Sequence, residues 1–417
     1  MTYETQVSRK ENVRLKIPIL HLIFFTCFIF NTINLNYGFL DDLLNPDFYS
    51  PPEMIKRNGY PIEIYNVTTS DGYILDLQRI PHGKSNKNGS HFPILLIHGY
   101  IDSSFAWIAN GPKRALAYLL ADQGYDVWMI NLRGNTFSSN HINYTAMDPE
   151  FWDFSYDEMG RYDLPETIDF ILNKTNHSQL LCICDSAGNA VFYMMLSDLP
   201  QYNDKIIAQV GIAFFYHHKN VSESNSSVDS NSNYTTTYAL GPYMDRNWIV
   251  DLGIEFSTTI QELNGYSLYD YILYLMYGLR PDHINREIMP SVSANFPAGT
   301  SFKASDHLGQ LHQSFRHFDY GPAKNLEIYG TTLPTEYNIS DIQVPVRIYH
   351  AKEDNAATPE EVQYFYDRIP IKAGVIEIAD PNFSHMDFLY NEHNNELFNY
   401  DVLEFVNDMV NNALKNT

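Results

Sequence analysis

Short, nearly continuous apolar segments alternate with longer amphipathic ones along most of the chain. The short segments have the length of buried strands, and the longer ones place apolar residues at helical spacing. This alternation predicts an α/β fold in which helices cover a mostly parallel, doubly wound sheet. The predicted strands are Ile62–Val67, Ile74–Arg79, Ile94–Ile97, Asp126–Ile130, Leu180–Cys184, Ile207–Ile212, Val346–His350 and Val375–Ile378. The predicted helices are Pro112–Gln123, Tyr162–Leu172, Ala187–Leu196, Pro359–Arg368 and Asn395–Asn412.

The alternation changes character at two places. The first two predicted strands are joined by the turn-forming residues Ser70-Asp71-Gly72 and form a hairpin ahead of the parallel part. Between residues 216 and 332, a Ser/Asn-rich stretch and a crowd of aromatic residues replace the pattern. Those aromatic side chains suit helix packing, and they also suit the inner face of a cap over an apolar ligand pocket. We therefore predict a core over residues 44–215 and 333–417, interrupted by a largely helical cap or lid over residues 216–332.

The N-terminal segment has the features of a signal peptide. A mostly apolar run, Ile17–Phe30, follows the basic residues Arg9, Lys10, Arg14 and Lys16. The run is short for a membrane span and suits a signal-peptide core. We predict a signal peptide over residues 1–38, with an uncleaved signal anchor as the alternative. The body of the protein is then expected in the secretory pathway, either secreted or in the lysosomal lumen. Candidate N-glycosylation triplets begin at Asn66, Asn88, Asn143, Asn173, Asn176, Asn220, Asn225, Asn233 and Asn338.

Charge and cysteine content narrow the function classes. The formal net charge of -23 would repel phosphates, so nucleic acid is not an expected partner. Apart from Cys27 in the N-terminal segment, the cysteines are Cys182 and Cys184, whose spacing on one strand is poor for a disulfide. No Cys/His spacing suggests a metal site. We expect no metal and no other cofactor, and the oligomeric state stays open.

The run Cys184-Asp185-Ser186-Ala187-Gly188 carries the candidate chemistry, because a predicted strand leads into it and a predicted helix leads out. A serine on such a tight turn projects into solvent, and the next backbone N–H can hold an oxyanion. Small residues are needed on both sides, since strand and helix approach closely there. Gly188 meets this need, whereas Cys184 stands where a glycine is usual. The run therefore predicts a nucleophile elbow with one defect.

An acid and a base are available in the order that such an elbow requires. A serine needs a base to remove its proton, and the base needs an acidic partner to fix its tautomer. In strand–elbow hydrolases the chain order is serine, acid, histidine. Asp354 follows the strand Val346–His350 and is the predicted acid, with Glu353 as the alternative. His385, which lies in the loop after the next strand, is the predicted base.

The oxyanion hole needs two N–H donors. The first is expected from Ala187, directly after the nucleophile. The second is expected from Tyr100 in the loop after strand Ile94–Ile97, where Gly99 permits the turn. His98 precedes the serine in the chain, so we expect it to shape this loop and not to act as the base.

With these residues in view, the chain resembles the acid lipase family, which includes gastric and lysosomal acid lipases and lies within the α/β-hydrolases. The resemblance extends from about Pro46 to Val410. Its most specific stretches are Asn58-Gly59-Tyr60-Pro61, Thr69-Ser70-Asp71-Gly72-Tyr73-Ile74-Leu75, His98-Gly99, Asp102-Ser103-Ser104, Asn131-Leu132-Arg133-Gly134-Asn135, Phe151-Trp152-Asp153-Phe154-Ser155, Asp157-Glu158-Met159, Tyr162-Asp163-Leu164-Pro165, Pro297-Ala298-Gly299-Thr300 and Phe318-Asp319-Tyr320-Gly321.

The resemblance implies an α/β-hydrolase fold and hydrolysis of glycerol or sterol esters without a cofactor. It assigns the nucleophile to Ser186, the acid to Asp354, the base to His385, and the oxyanion donors to Tyr100 and Ala187. The alternatives are a catalytically impaired lipid-binding homologue and an esterase for short soluble esters. The expected partners are lipid ester substrates and, transiently, the surface of a lipid droplet or membrane.

The chain also departs from the family pattern. The family's elbow usually reads Gly-His-Ser-Gln-Gly, so Cys184, Asp185 and Ala187 are substitutions. The Asp185 charge is expected to raise the pKa of His385. Tyr100 replaces a leucine and is expected to narrow the acyl pocket. Asn355 stands where the family usually has tryptophan, and the cap lacks the family's disulfide cysteines.

Overall fold

The computed structural model describes residues 49–85, 91–216, 283–284, 286–354 and 356–415. Within these ranges, nine strands form one mixed sheet in the order β1-β2-β4-β3-β6-β7-β8-β9, and β5 pairs with β2 at one end. The strands are β1 Glu63–Thr68, β2 Tyr73–Ile80, β3 Pro93–Ile97, β4 Asp126–Ile130, β5 Asn140–His141, β6 Leu180–Asp185, β7 Ile206–Ile212, β8 Val346–His350 and β9 Lys372–Glu377.

The sheet is antiparallel at one edge and parallel elsewhere. β1 and β2 form the predicted hairpin, and β2 also runs antiparallel to β4. From β4 through β3, β6, β7 and β8 to β9, every neighbouring pair is parallel. The predicted mostly parallel α/β sheet is thus confirmed. Because parallel strands end at the same edge, the loops after β3, β6, β8 and β9 lie on one side of the molecule.

Helices occur between the strands and at both ends of the described chain. They are α1 Pro51–Arg57, α2 Leu116–Asp122, α3 Tyr156–Glu158, α4 Leu164–Thr175, α5 Ala187–Asp198, α6 Met289–Asn295, α7 Phe302–Leu311, α8 Pro322–Tyr329, α9 Pro359–Arg368, α10 Asp387–Tyr390 and α11 Tyr400–Lys415.

The core consists of two apolar layers, one on each face of the sheet. Ile94 and Leu96 of β3 belong to the layer that contains α2 and α11. Their neighbours Leu95 and Ile97 point the other way, into the layer formed with α4, α5 and α9. Cys184 of β6 belongs to this second layer, on the face of the sheet that α5 covers. The central strands are buried on both faces, which explains why their sequences are apolar without alternation.

Several predicted boundaries differ from the observed ones for local reasons. The helix predicted from Pro112 begins at Leu116, because Ala115 has an extended backbone, with φ −75° and ψ 130°, and occupies the N-cap position. Two predicted helices contain π-helical turns at their N-terminal ends, Met159–Asp163 before α4 and Asn395–Asn399 before α11. The two-residue strand β5 was not predicted, since it is too short to show an alternating pattern.

Much of the predicted cap and all of the predicted signal peptide lie outside the described residues. The described end of the cap region contains α6, α7 and α8. Its backbone is joined to the core, because the Ala298 N–H donates to the Ile101 carbonyl at 2.6 Å and the Ala298 carbonyl accepts from Thr136 at 2.8 Å. The domain boundaries stay a prediction. Within the described ranges, the helices are all too short or too polar to cross a bilayer.

Candidate active site

Ser186 occupies a strained turn between β6 and α5. Its backbone has φ 48° and ψ −123°, a conformation that residues other than glycine rarely adopt. The Ser186 N–H donates to the Ile212 carbonyl at 3.1 Å, which ties the turn to the end of β7. A Cβ added at Gly188 would lie 2.6 Å from the Ile97 carbonyl oxygen and 2.7 Å from that of His98. The predicted requirement for glycine after the serine therefore has a direct steric cause.

His385 links Ser186 to Asp354 by hydrogen bonds. Its Nε2 lies 2.7 Å from Ser186 Oγ, and its Nδ1 lies 2.9 and 3.0 Å from the two Asp354 carboxylate oxygens. Asp354 is buried in the loop after β8 and also accepts a hydrogen bond from the Ala356 N–H at 2.8 Å. Glu353, the alternative acid, is exposed. The structure thus brings the three predicted residues together in the order serine, histidine, aspartate.

The loop after β3 packs against the elbow. A Cβ added at Gly99 would lie 2.9 Å from Ser186 Cβ and 2.7 Å from Asp185 Oδ2, so the backbone next to Tyr100 approaches Ser186 closely. His98 holds the loop from beneath, with Nδ1 2.8 Å from the Gly99 carbonyl and Nε2 accepting from the Leu132 N–H at 3.1 Å. Burial lowers the pKa of His98 to about 4, which keeps the ring neutral.

Two family models match the chain: a "partial alpha/beta-hydrolase lipase region" over residues 51–111 and an "alpha/beta hydrolase fold" over residues 92–249. The gastric triacylglycerol lipase of Bos taurus is 35% identical over 346 residues, covering 81% of this chain and 86% of the relative. Lipase member K of Homo sapiens is 33% identical over 347 residues, covering 82% and 86%. The chain belongs to the acid lipase family of α/β-hydrolases.

Solved structures agree with this fold at lower sequence similarity. A membrane phospholipase A, described as a bacterial virulence factor, has a TM-score of 0.50 and 13% identity. The match covers 94% of this chain and 98% of that one. At this identity, the likeness supports the α/β-hydrolase fold alone.

This acid lipase family member accommodates Cys184 at the first elbow position without opening the turn. Cys184 is fully buried and pairs with Gly211 of β7, which offers no competing side chain. Gln209 on the same strand forms a hydrogen bond with the thiol. Burial raises the pKa of Cys184, so the thiol stays protonated.

The acid lipase site holds an additional buried carboxyl group. Burial raises the pKa of Asp185 to about 7; the His385 ring opposes this rise, and Asp354 adds to it. Burial lowers the pKa of His385, but Asp354 and then Asp185 outweigh burial and raise it to about 8. Asp102 is also buried, and burial raises its pKa well above the ordinary range, with Asp185 contributing. Burial thus favours the neutral form of Asp102 and Asp185, while Asp354 and Asp185 favour the charged form of His385.

Two features of the site were not predicted from the sequence. The Gly99 backbone forms a hydrogen bond with the Asp185 carboxyl, so the elbow and the oxyanion loop are joined through a side chain. Asn189 and Gln209 form a buried polar pair close to Ser186, with Gln209 Nε2 2.9 Å from Asn189 Oδ1. The sequence does show one amide residue within each of two largely apolar elements, Asn189 in α5 and Gln209 in β7. Asn355 lies outside the described residues, and no cluster of three or more metal-ligating side chains occurs within them.

Proposed function

We propose that this protein is a secreted or lysosomal lipase that hydrolyses carboxylic esters of lipids, either triacylglycerols or sterol esters. The observation that carries the proposal is the hydrogen-bonded chain Asp354–His385–Ser186, with the serine on a strained turn at the carboxyl edge of the sheet. The kinship with gastric triacylglycerol lipase supports a lipid ester as the substrate class.

In acylation, Ser186 Oγ would attack the ester carbonyl while His385 Nε2 takes the hydroxyl proton. The 2.7 Å distance between these two atoms allows direct transfer. Asp354 holds the proton on Nδ1, so that Nε2 is free to accept, and it stabilises the imidazolium that forms. His385 then protonates the leaving alcohol, and the acyl group stays on Ser186.

In deacylation, the same groups would act on water. His385 Nε2 removes a proton from a water molecule, whose oxygen attacks the acyl carbon, and returns that proton to Ser186 Oγ as the fatty acid leaves. Both tetrahedral intermediates carry an oxyanion, for which we propose the backbone N–H groups of Tyr100 and Ala187 as donors. Losing one such donor typically costs about 10²–10³ in rate.

The acyl site is proposed to lie beside Tyr100, under the cap. The Tyr100 hydroxyl donates to Ser305 Oγ of α7 at 3.0 Å, so this ring connects the oxyanion loop to the described part of the cap region. A ring held in this way supports a narrower acyl site than a leucine would leave. The same observation favours the second candidate function, an esterase for short soluble esters. Rates on emulsified long-chain triglyceride and on a short-chain nitrophenyl ester distinguish the two.

The secretory location is supported by where the glycosylation triplets lie. Those in the described ranges have exposed asparagine side chains, namely Asn66, Asn143, Asn173, Asn176 and Asn338. Expression in a eukaryotic secretion host, followed by enzymatic deglycosylation, should lower the apparent mass. An unchanged mass and retention in the cytosol would contradict this part of the proposal.

Active-site labelling tests the catalytic proposal. A fluorophosphonate ester should label the wild type at a single site, and Ser186→Ala should abolish labelling. Ser197→Ala is a matched control, because this serine lies at the other end of α5. Absence of labelling from acidic to neutral pH in the folded wild type would refute the hydrolase and favour a catalytically impaired lipid-binding homologue.

A further inference from the structure

A buried polar network lies directly beneath the nucleophile. Tyr193 Oη donates to Gln209 Oε1 at 3.0 Å, and Gln209 Nε2 donates to Asn189 Oδ1 at 2.9 Å. Gln209 also forms a hydrogen bond with the Cys184 thiol. All four side chains are fully buried between β6, β7 and α5. Buried amides without partners would be destabilising, so their complete pairing makes this network a fixed structural unit.

The network ends on the backbone of Ser186. Asn189 Nδ2 donates to the Ser186 carbonyl at 3.0 Å and to the Ile212 carbonyl at 3.1 Å. The Ile212 carbonyl is the same group that accepts the Ser186 N–H. Asn189 therefore links the Ser186 carbonyl to the Ile212 carbonyl, which also accepts the Ser186 N–H. Both backbone polar groups of Ser186 are thus held at the last residue of β7. Because Gln209 occupies Asn189 Oδ1, the amide cannot rotate and its NH₂ stays aimed at the two carbonyls.

Gly211 of β7 leaves the space that this network needs. A Cβ added at Gly211 would lie 2.5 Å from Asn189 Oδ1, so glycine at that position leaves the room that the amide occupies. Gly211 also pairs with Cys184 across the strands. Cys184 and the Asn189 amide thus both lie next to Gly211, which has no side chain to displace them.

The strained backbone of Ser186 must be held in place by its surroundings. A non-glycine residue in a sparsely populated backbone conformation is strained, and it persists only where its surroundings hold it. Relaxation of φ toward negative values would move Oγ away from His385 Nε2, which now lies 2.7 Å away. A loss of this alignment slows the attack and leaves ground-state binding of the substrate unchanged.

We propose that Asn189 is a positioning residue that holds Ser186 in its reactive conformation, with Gln209 fixing the orientation of its amide. This inference rests on the nucleophilic role proposed above for Ser186. Asn189 does not contact the reacting atoms, so its removal should lower kcat and the rate of fluorophosphonate inactivation while KM stays nearly constant.

The test compares Asn189→Ala with Asn189→Ser, two variants that differ by one hydroxyl group. A serine at this helical position can donate to the carbonyl three residues earlier, which is that of Ser186. We expect a loss of about 10- to 100-fold in kcat for the alanine variant and a smaller loss for the serine variant, since each tenfold corresponds to about 1.4 kcal/mol. Rates are expressed per labelled site, so that an unfolded fraction does not count.

Ile171→Ala serves as the control for a merely structural effect. Ile171 is fully buried in α4, and its truncation lowers stability without touching the elbow. It should reduce the melting temperature and leave kcat per labelled site unchanged. Equal rates for the alanine and serine variants, or a wild-type kcat in Asn189→Ala, would overturn the positioning role. A wild type that does not label at all would instead overturn the proposed nucleophile.

Discussion

His317 connects the described end of the cap region to the core through two carboxylates. Its Nδ1 lies 3.6 Å from Asp157 Oδ1, beside α3, and its Nε2 lies 3.4 Å from Asp198 Oδ1, at the end of α5. The ring packs on Tyr337 with 4.1 Å between centroids. Burial lowers the pKa of His317, but Asp157 and Asp198 outweigh it and raise the pKa to about 9. The imidazole is therefore positively charged at neutral and acidic pH.

Other charged and polar groups surround the two carboxylates that His317 contacts. Arg161 pairs with Asp198 at 3.1 Å, and His307 Nδ1 lies 3.8 Å from Asp157 Oδ1. The Tyr337 hydroxyl donates to Asp157 as well. Burial raises the pKa of Asp157, but His307 and then His317 outweigh it and hold the pKa well below its ordinary value. The carboxylate thus stays ionised in acid, where an ordinary aspartate takes up a proton.

We predict that replacing His317 destabilises the protein mainly at low pH. A histidine whose pKa is raised in the folded state contributes fully below its unfolded value of 6.5, and the contribution disappears as pH rises through about 9. A rise from 6.5 to about 9 corresponds to about 3 kcal/mol. Solvent at the exposed edge of the ring screens part of this, so we expect about 2 kcal/mol at pH 5.5.

Urea unfolding followed by tryptophan fluorescence measures the effect. With a denaturant slope of about 3–4 kcal/mol/M for a chain of this size, His317→Gln should lower the midpoint by about half a molar at pH 5.5. At pH 10 the difference should shrink to a small fraction of that. His177→Gln is the control, because the His177 ring contacts a backbone carbonyl and Phe92. An equal loss for His317→Gln at both pH values would refute the charge-based explanation.

Three further predictions concern the elbow, the base and the core. Gly188→Ala should abolish fluorophosphonate labelling, because its Cβ would lie 2.6 Å from a backbone carbonyl at the end of β3; labelling at the wild-type rate would contradict the close approach. Asp185→Asn should lower the pKa of His385 and shift the acidic limb of the kcat/KM profile to lower pH, since a negative charge is removed; a shift to higher pH would be inconsistent with this. Arg133→Met should destabilise the fold by about 3–5 kcal/mol in urea unfolding, because it leaves the fully buried Asp163, now 2.7 Å from the guanidinium, without its partner; a change below about 1 kcal/mol would contradict it.

The sequence was informative where a residue type is required by local geometry. The central strands are buried on both faces, so their apolar runs predicted them directly. The elbow was recognisable because Ser186 needs a small residue two positions later, and Gly188 supplies it. Asp354 and His385 could be predicted because parallel strands end at one edge, so residues in loops far apart in the chain become neighbours.

Features that depend on contacts between elements were harder to predict from the sequence. Nothing in the run Ala187–Leu196 shows that Asn189 turns inward to the elbow, because that orientation depends on Gln209 and Gly211 from another strand. The bridge of His317 to Asp157 and Asp198 likewise joins three segments that no local pattern relates. Helix starts were displaced by turns and π-helical segments, since these depend on individual backbone hydrogen bonds.

The direct pairing of β7 with β8 has a consequence for the support of the elbow. β7 ends at Ile212 and β8 begins at Val346, yet the two strands are direct parallel neighbours. A long stretch of chain thus departs from and returns to adjacent positions, and strand register is set without it. The hydrogen bond from the Ser186 N–H to the Ile212 carbonyl therefore depends on the pairing within the sheet and not on the length of the chain between β7 and β8.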